Sequence, residues 1–135
     1  RNDLVQMEKD LRFIIEREPD NAMALNALGY TLADRTHRHQ EALELIDRAR
    51  VAEPDNAAIV DSYGWVLYRL GRGDEALPYL RRAWMLMKDP EVAAHLGEVL
   101  WALGRQDDAR RVLQAAQKSH PTNEALAETV RKLIP

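Results

Sequence analysis

Cysteine is absent from the 135 residues, and phenylalanine occurs once. Without thiols the chain can have no disulfide, no thiolate nucleophile and no thiolate metal site, in whichever compartment it works. No apolar run approaches the roughly 18 residues that a membrane-spanning helix needs, and no signal pattern of basic, apolar and small residues opens the chain. We therefore expect no direct insertion of this segment into a membrane.

A surplus of one charge is missing as well. The 19 basic and 22 acidic residues are interspersed and give a net charge of -3, so no basic stripe can follow a phosphate backbone. Nucleic acid is therefore not expected as a partner. The composition, with 46% apolar and 30% charged residues, is typical of a single folded domain.

The sequence does contain a threefold internal repeat. Gly29, Gly64 and Gly97 lie 35 and 33 residues apart, inside the related strings NALGYTLA, DSYGWVLY and HLGEVLWA. A second set of strings, EALELIDRA, EALPYLRRA and DARRVLQAA, follows the glycines in register. A third set, EPDN, EPDN and HPTN, closes most of the units. Three markers that share one period indicate a repeat architecture.

Each unit is predicted to form two helices. In the second unit Val60, Tyr63 and Leu67 recur at spacings of three and four, which gives an apolar stripe turned toward a partner helix. The glycines of LGRGDEA stop this helix, and Asp74 is a candidate N-cap for the next one. Pro78 lies near the first turn of that next helix, where proline forfeits little hydrogen bonding.

Both ends of the chain fit the same scheme. The polar face of the last helix suits the exposed end of a stacked array, whereas the first helix is only half of a unit, so we expect the natural chain to extend before Arg1. We predict one array over residues 1–135, made of a half repeat (1–19, second helix only), three repeats (22–56, 57–89 and 90–123) and a capping helix (123–135).

On these residues the chain resembles the tetratricopeptide repeat family, whose unit is a helix-turn-helix of about 34 residues. The three glycines, the small alanines of the second helices and the closing prolines Pro54 and Pro121 stand where that family places them. The resemblance covers nearly the whole chain; an extra residue within DRTHRHQ and the displaced Pro90 affect only loops. It implies an all-α fold, a right-handed superhelical α-solenoid of antiparallel helix pairs.

A narrower resemblance is carried by DSYGWVLYRLGR followed by DPEVAAHLGEVLWALGR. These stretches are similar to the C-terminal repeats of tetratricopeptide lipoproteins of proteobacteria, which are tethered to the outer membrane and face the periplasm. At least one member of that group is an adaptor that delivers substrates to a carboxyl-terminal processing protease. The resemblance implies a periplasmic location and a processing protease as partner, while the composition by itself leaves the cytoplasm open.

In this family the first helix of each repeat lines a concave surface. Asp61, Trp65 and Tyr68 share one side of such a helix, and the same rotation selects the corresponding side in the other two repeats. The predicted peptide-binding groove consists of Asn26, Tyr30, Asp61, Trp65, Tyr68, Arg69, Glu91, Glu98 and Trp101, with Met23, Ala33 and Ala94 on the same stripe and Asp34 and His95 at its edges.

The predicted groove is aromatic and mildly acidic. Family members that hold a terminal carboxylate use lysines, an arginine and asparagines on these faces, and only Asn26 and Arg69 remain here. A terminal carboxylate is therefore a poor ligand. An apolar or aromatic peptide segment of another protein, with or without a basic residue, suits the groove better, because tryptophan and tyrosine are frequent interface anchors.

The aromatic residues have two interpretations that stay open. Trp65 and Tyr68 either contact a ligand or pack across adjacent repeats and seal the junction between them. Trp84, on a second helix, is expected to pack in the core or between repeats. Met85 and Met87 are expected to fill gaps there, as flexible methionine side chains often do.

No catalytic constellation is recognisable in the sequence. It offers no nucleophile with a matched base and no phosphate-binding loop. His37 and His39 lack a third ligand, and Glu91, His95 and Glu98 share a helical side without a second helix to complete a metal site. We predict a non-catalytic interaction scaffold without cofactor or metal. The alternative is a self-assembly module in which the terminal helices stack into homo-oligomers.

Overall fold

A computed structural model describes residues 2–135, and over that range the chain is all-α, as predicted. Short loops join α2 to α3, α4 to α5 and α6 to α7 into antiparallel pairs, and each pair packs on the next. α1 packs on α2 at one end, and α8 packs on α6 and α7 at the other. The helices are α1 (Asn2–Arg17), α2 (Ala22–Arg35), α3 (His39–Ala52), α4 (Ala57–Arg69), α5 (Gly73–Leu86), α6 (Pro90–Ala102), α7 (Gln106–Ser119) and α8 (Glu124–Leu133).

The EPDN and HPTN strings close one unit and begin the next. Asn21, Asn56 and Asn123 are the N-caps of α2, α4 and α8, and their side chains accept hydrogen bonds from backbone N–H groups of the first turn. Asp89 does the same before α6, accepting from the N–H of Glu91 at 2.8 Å. Because such a cap stabilises a helix by about 1 kcal/mol, the four caps fix where α2, α4, α6 and α8 begin.

The turn between α4 and α5 differs from the prediction in one residue. α5 begins at Gly73 with Arg72 in the N-cap position, so Asp74 lies in the first turn and the prediction that it caps the helix is wrong. Gly71, with φ at 80°, ends α4 in a left-handed conformation, which lets the N–H of Arg72 bond back to the carbonyl of Leu67 at 2.9 Å.

The repeated glycines allow the two helices of each pair to approach closely. A Cβ atom at Gly64 would lie 2.8 Å from Cγ of Leu80 on α5, which is fully buried. Gly29 and Gly97 stand against α3 and α7 in the same way. Tyr63, one residue earlier on α4, packs edge to face on Tyr79 of α5, with ring centroids 4.7 Å apart. It thus lies on the side of α4 that was predicted to face the partner helix.

One arginine on α3 and one on α5 bind these second helices to the closing loop of the preceding unit. Arg48 on α3 donates to the carbonyl of Pro19 at 2.9 Å, and Arg82 on α5 donates to the carbonyl of Pro54 at 3.0 Å. Arg82 also pairs with Asp55 of the same loop. The two contacts occupy corresponding places in successive repeats. They therefore hold α3 and α5, the outer helices of the first two repeats, in the same position relative to the preceding loop.

An ion-pair network fastens α1 to the first repeat. Arg38 donates to both carboxylate oxygens of Glu8 at 3.0 and 2.8 Å, and Arg12 on α1 pairs with Glu8 and with Glu41 on α3. The hydrogen bonds from Arg38 lower the pKa of Glu8 to about 2. A single exposed ion pair contributes little to the free energy of unfolding, but linked pairs such as these contribute more.

The last turn of α5 is the part of the outer surface that departs most from expectation. Trp84 is partly buried and packs with buried residues of the second and third repeats, which agrees with inter-repeat packing. Met85 and Met87 are 74% and 39% exposed, so the prediction that they fill gaps is wrong. They follow Ala83, the last buried residue of α5, and Met87 is the C-cap of that helix.

Candidate functional site

The first helices of the three repeats, α2, α4 and α6, are called the inner helices. Four of their side chains meet in one cluster, which we call the concave bridge: Tyr30 on α2, Asp61 and Trp65 on α4, and His95 on α6. Nδ1 of His95 lies 3.0 and 3.1 Å from the two carboxylate oxygens of Asp61. Nε2 of His95 lies 3.4 Å from the hydroxyl of Tyr30. Trp65 stacks on the His95 ring with centroids 4.1 Å apart and planes 19° apart. The bridge thus joins all three repeats.

Three members of the bridge are buried, and the pKa of its histidine is raised. Asp61, Trp65 and His95 are only 6%, 7% and 7% exposed. Burial by itself lowers the pKa of His95, but the hydrogen bond and charge of Asp61, with the charges of Glu91 and Glu98, outweigh it, so that the pKa is raised. A protonated imidazole donates from both nitrogens, one to Asp61 and one to Tyr30.

Tyr30 extends the bridge across the concave surface. Its hydroxyl donates to the carboxylate of Glu91 at 2.9 Å, so α2 and α6 touch over the intervening repeat. Burial, followed by the charge of Glu91, raises the pKa of Tyr30, and the hydroxyl stays a donor. Side chains of the first and third repeats therefore close part of the concave surface without any ligand.

Trp65 lies on the predicted side of α4, but it does not face solvent. His95 covers it by stacking, and Tyr68 leans on it with ring centroids 5.2 Å apart. Of the two interpretations of Trp65, packing across adjacent repeats describes its surroundings. Its indole Nε1 is buried without a hydrogen-bond partner among the described residues.

A cavity of about 430 Å³ lies beside the bridge, toward the amino ends of the inner helices, and we call it the N-terminal pocket. Four of the predicted groove residues line it together: Asn26, Tyr30, Asp61 and Glu91. Apolar surface comes from Met7 of α1 and from alanines of α2 and α4. The pocket is thus a mixed site, with oxygen acceptors set into an apolar wall.

Two acceptors of the N-terminal pocket are incompletely paired within the described residues: one accepts no hydrogen bond, and the other has no cationic partner. The amide Oδ1 of Asn26 is buried and accepts no hydrogen bond from the described residues. Glu91 is exposed and accepts from Tyr30, and over residues 2–135 it forms no ion pair with a lysine or arginine. Buried acceptors without a donor are uncommon in folded proteins and mark places where a ligand can bind.

The remaining predicted aromatics form a second region, which we call the C-terminal shelf: Tyr68, Glu98 and Trp101, near the carboxyl ends of α4 and α6. The hydroxyl of Tyr68 donates to Glu98 at 3.4 Å, and Nζ of Lys132 on α8 pairs with Glu98 at 2.9 Å. Trp101 is half-buried under the guanidinium of Arg110, 5.1 Å from its ring centroid. The shelf keeps aromatic surface accessible to a partner.

The other stripe residues contribute unequally to the concave surface. Ala33 and Ala94 are buried and offer no contact surface. Met23, at 81% exposure, and Asp34 are open to solvent at the two ends of α2, and Arg69 is half-buried as the last residue of α4.

Sequence reasoning misses two residues of the site. The helical pattern puts His95 at the edge of the groove, yet it is the centre of the bridge; the same pattern assigns Met7 only to the packing of α1. Asp61 and His95 stand 34 residues apart on corresponding helices, and an acid one period from a histidine is a signal that could have revealed their pairing. Met7 carries no such signal, because its place depends on how α1 docks on α2.

Neither a metal cluster nor a membrane-spanning helix is found between residues 2 and 135. No three His, Asp or Glu side chains in this range are close enough together to hold a metal ion. None of the helices in this range has the length and apolar character that crossing a bilayer requires.

Comparison with known protein families gives consistent matches along the chain. Two sequence models described as tetratricopeptide repeat match it, one at residues 67–133 and the other at residues 8–57 and 31–84. The TPR repeat-containing protein PA4667 of Pseudomonas aeruginosa is 66% identical over 98 residues, which is 73% of this chain and 17% of that protein. The chain therefore spans about a sixth of the length of this relative.

Solved structures share the fold at lower identity. TTC0263, a thermophilic TPR protein of Thermus thermophilus, has a TM-score of 0.81 and 22% identity, covering 94% of this chain and 71% of that one. YrrB, described as a TPR protein with an unusual peptide-binding site, has a TM-score of 0.70 and 24% identity, covering 97% and 70%. The first TPR of Spaghetti (RPAP3), bound to the HSP90 peptide SRMEEVD, has a TM-score of 0.72 and 18% identity, covering 83% and 89%.

Proposed function

Because the chain belongs to the tetratricopeptide repeat family, we propose that it is a non-catalytic interaction scaffold that binds a peptide segment of another protein on its concave surface. The observation that carries this proposal is the N-terminal pocket, where predicted groove residues from the first, second and third repeats meet. Two similar folds are described as peptide-binding, YrrB and the first TPR of Spaghetti. The half-exposed Tyr68 and Trp101 supply the anchor residues that such an interface uses.

The test is a selection of peptides that bind the 135-residue chain, followed by substitutions in its concave surface. Short random peptides that bind should lose about tenfold or more in affinity on Tyr68→Ala, Trp101→Ala or Asn26→Ala, the loss expected when an interface anchor is truncated. Met85→Ala is the matched control, since Met85 is exposed on an outer helix. Equal affinities for all four variants would place binding elsewhere.

The finer proposal concerns the whole protein and its compartment. We infer that the full-length chain is tethered to the outer membrane, faces the periplasm and serves a carboxyl-terminal processing protease as an adaptor. The support is the resemblance of the second and third repeats to such lipoproteins of proteobacteria. Cell fractionation tests the compartment, and a cytoplasmic full-length chain would contradict it.

The adaptor role needs a separate measurement. Purification of the full-length protein from its native cells should recover a processing protease identified by mass spectrometry, and the 135-residue fragment should be compared with it. Recovery by both places the partner surface in these repeats. Recovery by neither contradicts the adaptor role.

Self-assembly remains a second candidate, because α1 presents apolar side chains to solvent. Val5 and Phe13 are 56% and 55% exposed on this terminal helix. If the helix mediates assembly, light scattering should show a mass that rises with concentration and falls back on Phe13→Ser. A strict monomer over the whole concentration range would dismiss this function.

A further inference from the structure

We propose that the N-terminal pocket is a subsite for the guanidinium group of an arginine in the bound peptide, with Glu91 as its counter-ion and Asn26 Oδ1 as a second acceptor. This inference rests on the proposed function and deepens it, since it names the side chain that the partner must offer. Three features of the pocket favour a guanidinium ligand: its uncompensated charge, its unused acceptor and its apolar wall.

The charge of the pocket is negative and lacks an internal counter-ion. No lysine or arginine is among the described residues that line it. Asp61 is paired with the ring of His95, whose Nδ1 lies 3.0 Å away, whereas the carboxylate of Glu91 accepts only from the hydroxyl of Tyr30 among the described residues. A cation is therefore the complementary ligand.

The same helix shows what a compensated carboxylate looks like. Glu98, seven residues after Glu91 on α6, accepts from Lys132 of α8 at 2.9 Å. No described lysine or arginine pairs with Glu91 in the same way, so this carboxylate is free to pair with a cation of a partner. The two glutamates thus form a matched pair, one occupied and one open.

The second acceptor selects for a donor with several N–H groups. Asn26 lines the pocket, and its Oδ1 is buried and accepts no hydrogen bond from the described residues. A guanidinium group carries five N–H donors in a planar fork and can serve an amide oxygen and a carboxylate together. An ammonium group is more compact and more strongly hydrated, and it fits this arrangement less well.

The apolar wall matches the stem of the same side chain. Met7, Ala27 and Ala58 line the pocket beside the acceptors. Arginine buries its methylene groups along such a surface while its charged end stays with the carboxylate. Charge, acceptor and wall together favour arginine over a small cation.

The direct test is a nuclear magnetic resonance titration of the described chain with Nα-acetylarginine methylamide. The side-chain amide signals of Asn26 should shift saturably. The citrulline analogue, which keeps the shape and loses the charge, should bind about tenfold more weakly, as expected for loss of a charge-assisted hydrogen bond. The lysine analogue should fall between the two.

Matched variants separate the pocket from the net charge of the protein. Glu91→Gln should weaken binding of the arginine probe by about tenfold, whereas Glu44→Gln, which removes one charge from an exposed position on α3, should leave it unchanged. Equal binding of the arginine and citrulline probes, equal effects of the two substitutions, or no saturable shift at Asn26 would each overturn the subsite.

The peptide selection distinguishes failure of this subsite from failure of the proposed function. Selected peptides enriched in arginine, whose affinity falls on Glu91→Gln, support both. Peptides that depend on Tyr68 and Trp101 but carry no arginine and ignore Glu91→Gln would overturn the subsite and leave the peptide-binding function standing. If the arginine probe binds but no selected peptide binds to the concave surface, the peptide-binding function is overturned and the arginine site is left standing.

Discussion

The two ends of the concave surface solve the same packing problem in different ways. At the amino ends of the inner helices, Tyr30 and His95 reach across the surface and leave a pocket whose charge is uncompensated. At the carboxyl ends, Glu98 is paired with Lys132, and Trp101 lies under Arg110. The amino end contains Glu91, a carboxylate without a cationic partner among the described residues. The carboxyl end is an aromatic surface on which Glu98 is already paired with Lys132.

This difference indicates a division of work between the two regions. The concave bridge is buried, so its side chains contribute to stability and shape the pocket at once. The C-terminal shelf is half-exposed, so its side chains can change with less cost to folding. Substitutions in pairs, one from each region, test whether the division is real.

The largest expected difference is between the two tryptophans. Trp65→Ala should lower the free energy of unfolding by about 3 to 5 kcal/mol, because a buried ring is replaced by a cavity in the bridge. Trp101→Ala should cost less than about half of that, since its ring is half-exposed and removes less surface from water. Urea unfolding followed by far-ultraviolet circular dichroism measures both. Equal losses would break the comparison.

The next effect comes from removing the buried carboxylate of the bridge. Asp61→Ala leaves His95 buried without its partner, and we expect a loss of about 3 kcal/mol in the free energy of unfolding. Asp34→Ala is the control, since Asp34 is an exposed acid on α2 and should change stability by less than about 0.5 kcal/mol. A loss from Asp61→Ala no larger than that of the control would show that the pair is not stabilising.

The bridge also predicts how stability depends on pH. The folded pKa of His95 is raised above the 6.5 of an ordinary histidine, so its contribution is complete below pH 6.5 and is lost as the pH rises through the folded value. In that window the folded state binds more protons than the unfolded state, and stability should fall by up to about 1.4 kcal/mol per pH unit. Urea unfolding at a series of pH values measures the slope.

Two histidine variants test the origin of that slope. His95→Gln should flatten the pH dependence in the window above pH 6.5. His37→Gln, in an exposed loop away from the bridge, should leave it as in the parent protein. Stability that rises through the same window would contradict the assignment of the proton to His95.

The smallest expected difference is between two tyrosine hydroxyls. Tyr30→Phe removes a 2.9 Å bond to Glu91 and a 3.4 Å contact with His95, and it should cost about 1 to 1.5 kcal/mol in the free energy of unfolding. Tyr68→Phe removes one 3.4 Å bond to Glu98 and should cost less than about 0.5 kcal/mol. Reversal of this order in thermal or urea unfolding would locate the stabilising network at the shelf.

The sequence predicted the architecture because its markers are local. Spacings of three and four define each helix, and the recurring glycines record contacts between neighbouring helices, such as Gly64 against Leu80. The rotation about those glycines also selected Asn26, Tyr30, Asp61 and Glu91, which line one pocket. Which groove residues touch a ligand stays a prediction.

The burial of Trp65 and the central position of His95 could not be read from such local markers. Both depend on side chains that meet from different repeats, and Tyr30 reaches α6 from 61 residues away. The curvature of the array decides whether such residues touch, and curvature is a sum of small rotations between repeats. A helical pattern assigns a residue to a side of its helix but does not show what covers it.

Tyr30 has a consequence for how the array comes apart. A solenoid whose repeats contact only their immediate neighbours behaves as a one-dimensional chain of units that fray from the ends. The bond from the first repeat to Glu91 in the third adds an interaction between second neighbours. Opening either end of the array therefore breaks a contact with the other end, which adds to the cooperativity with which the three repeats unfold.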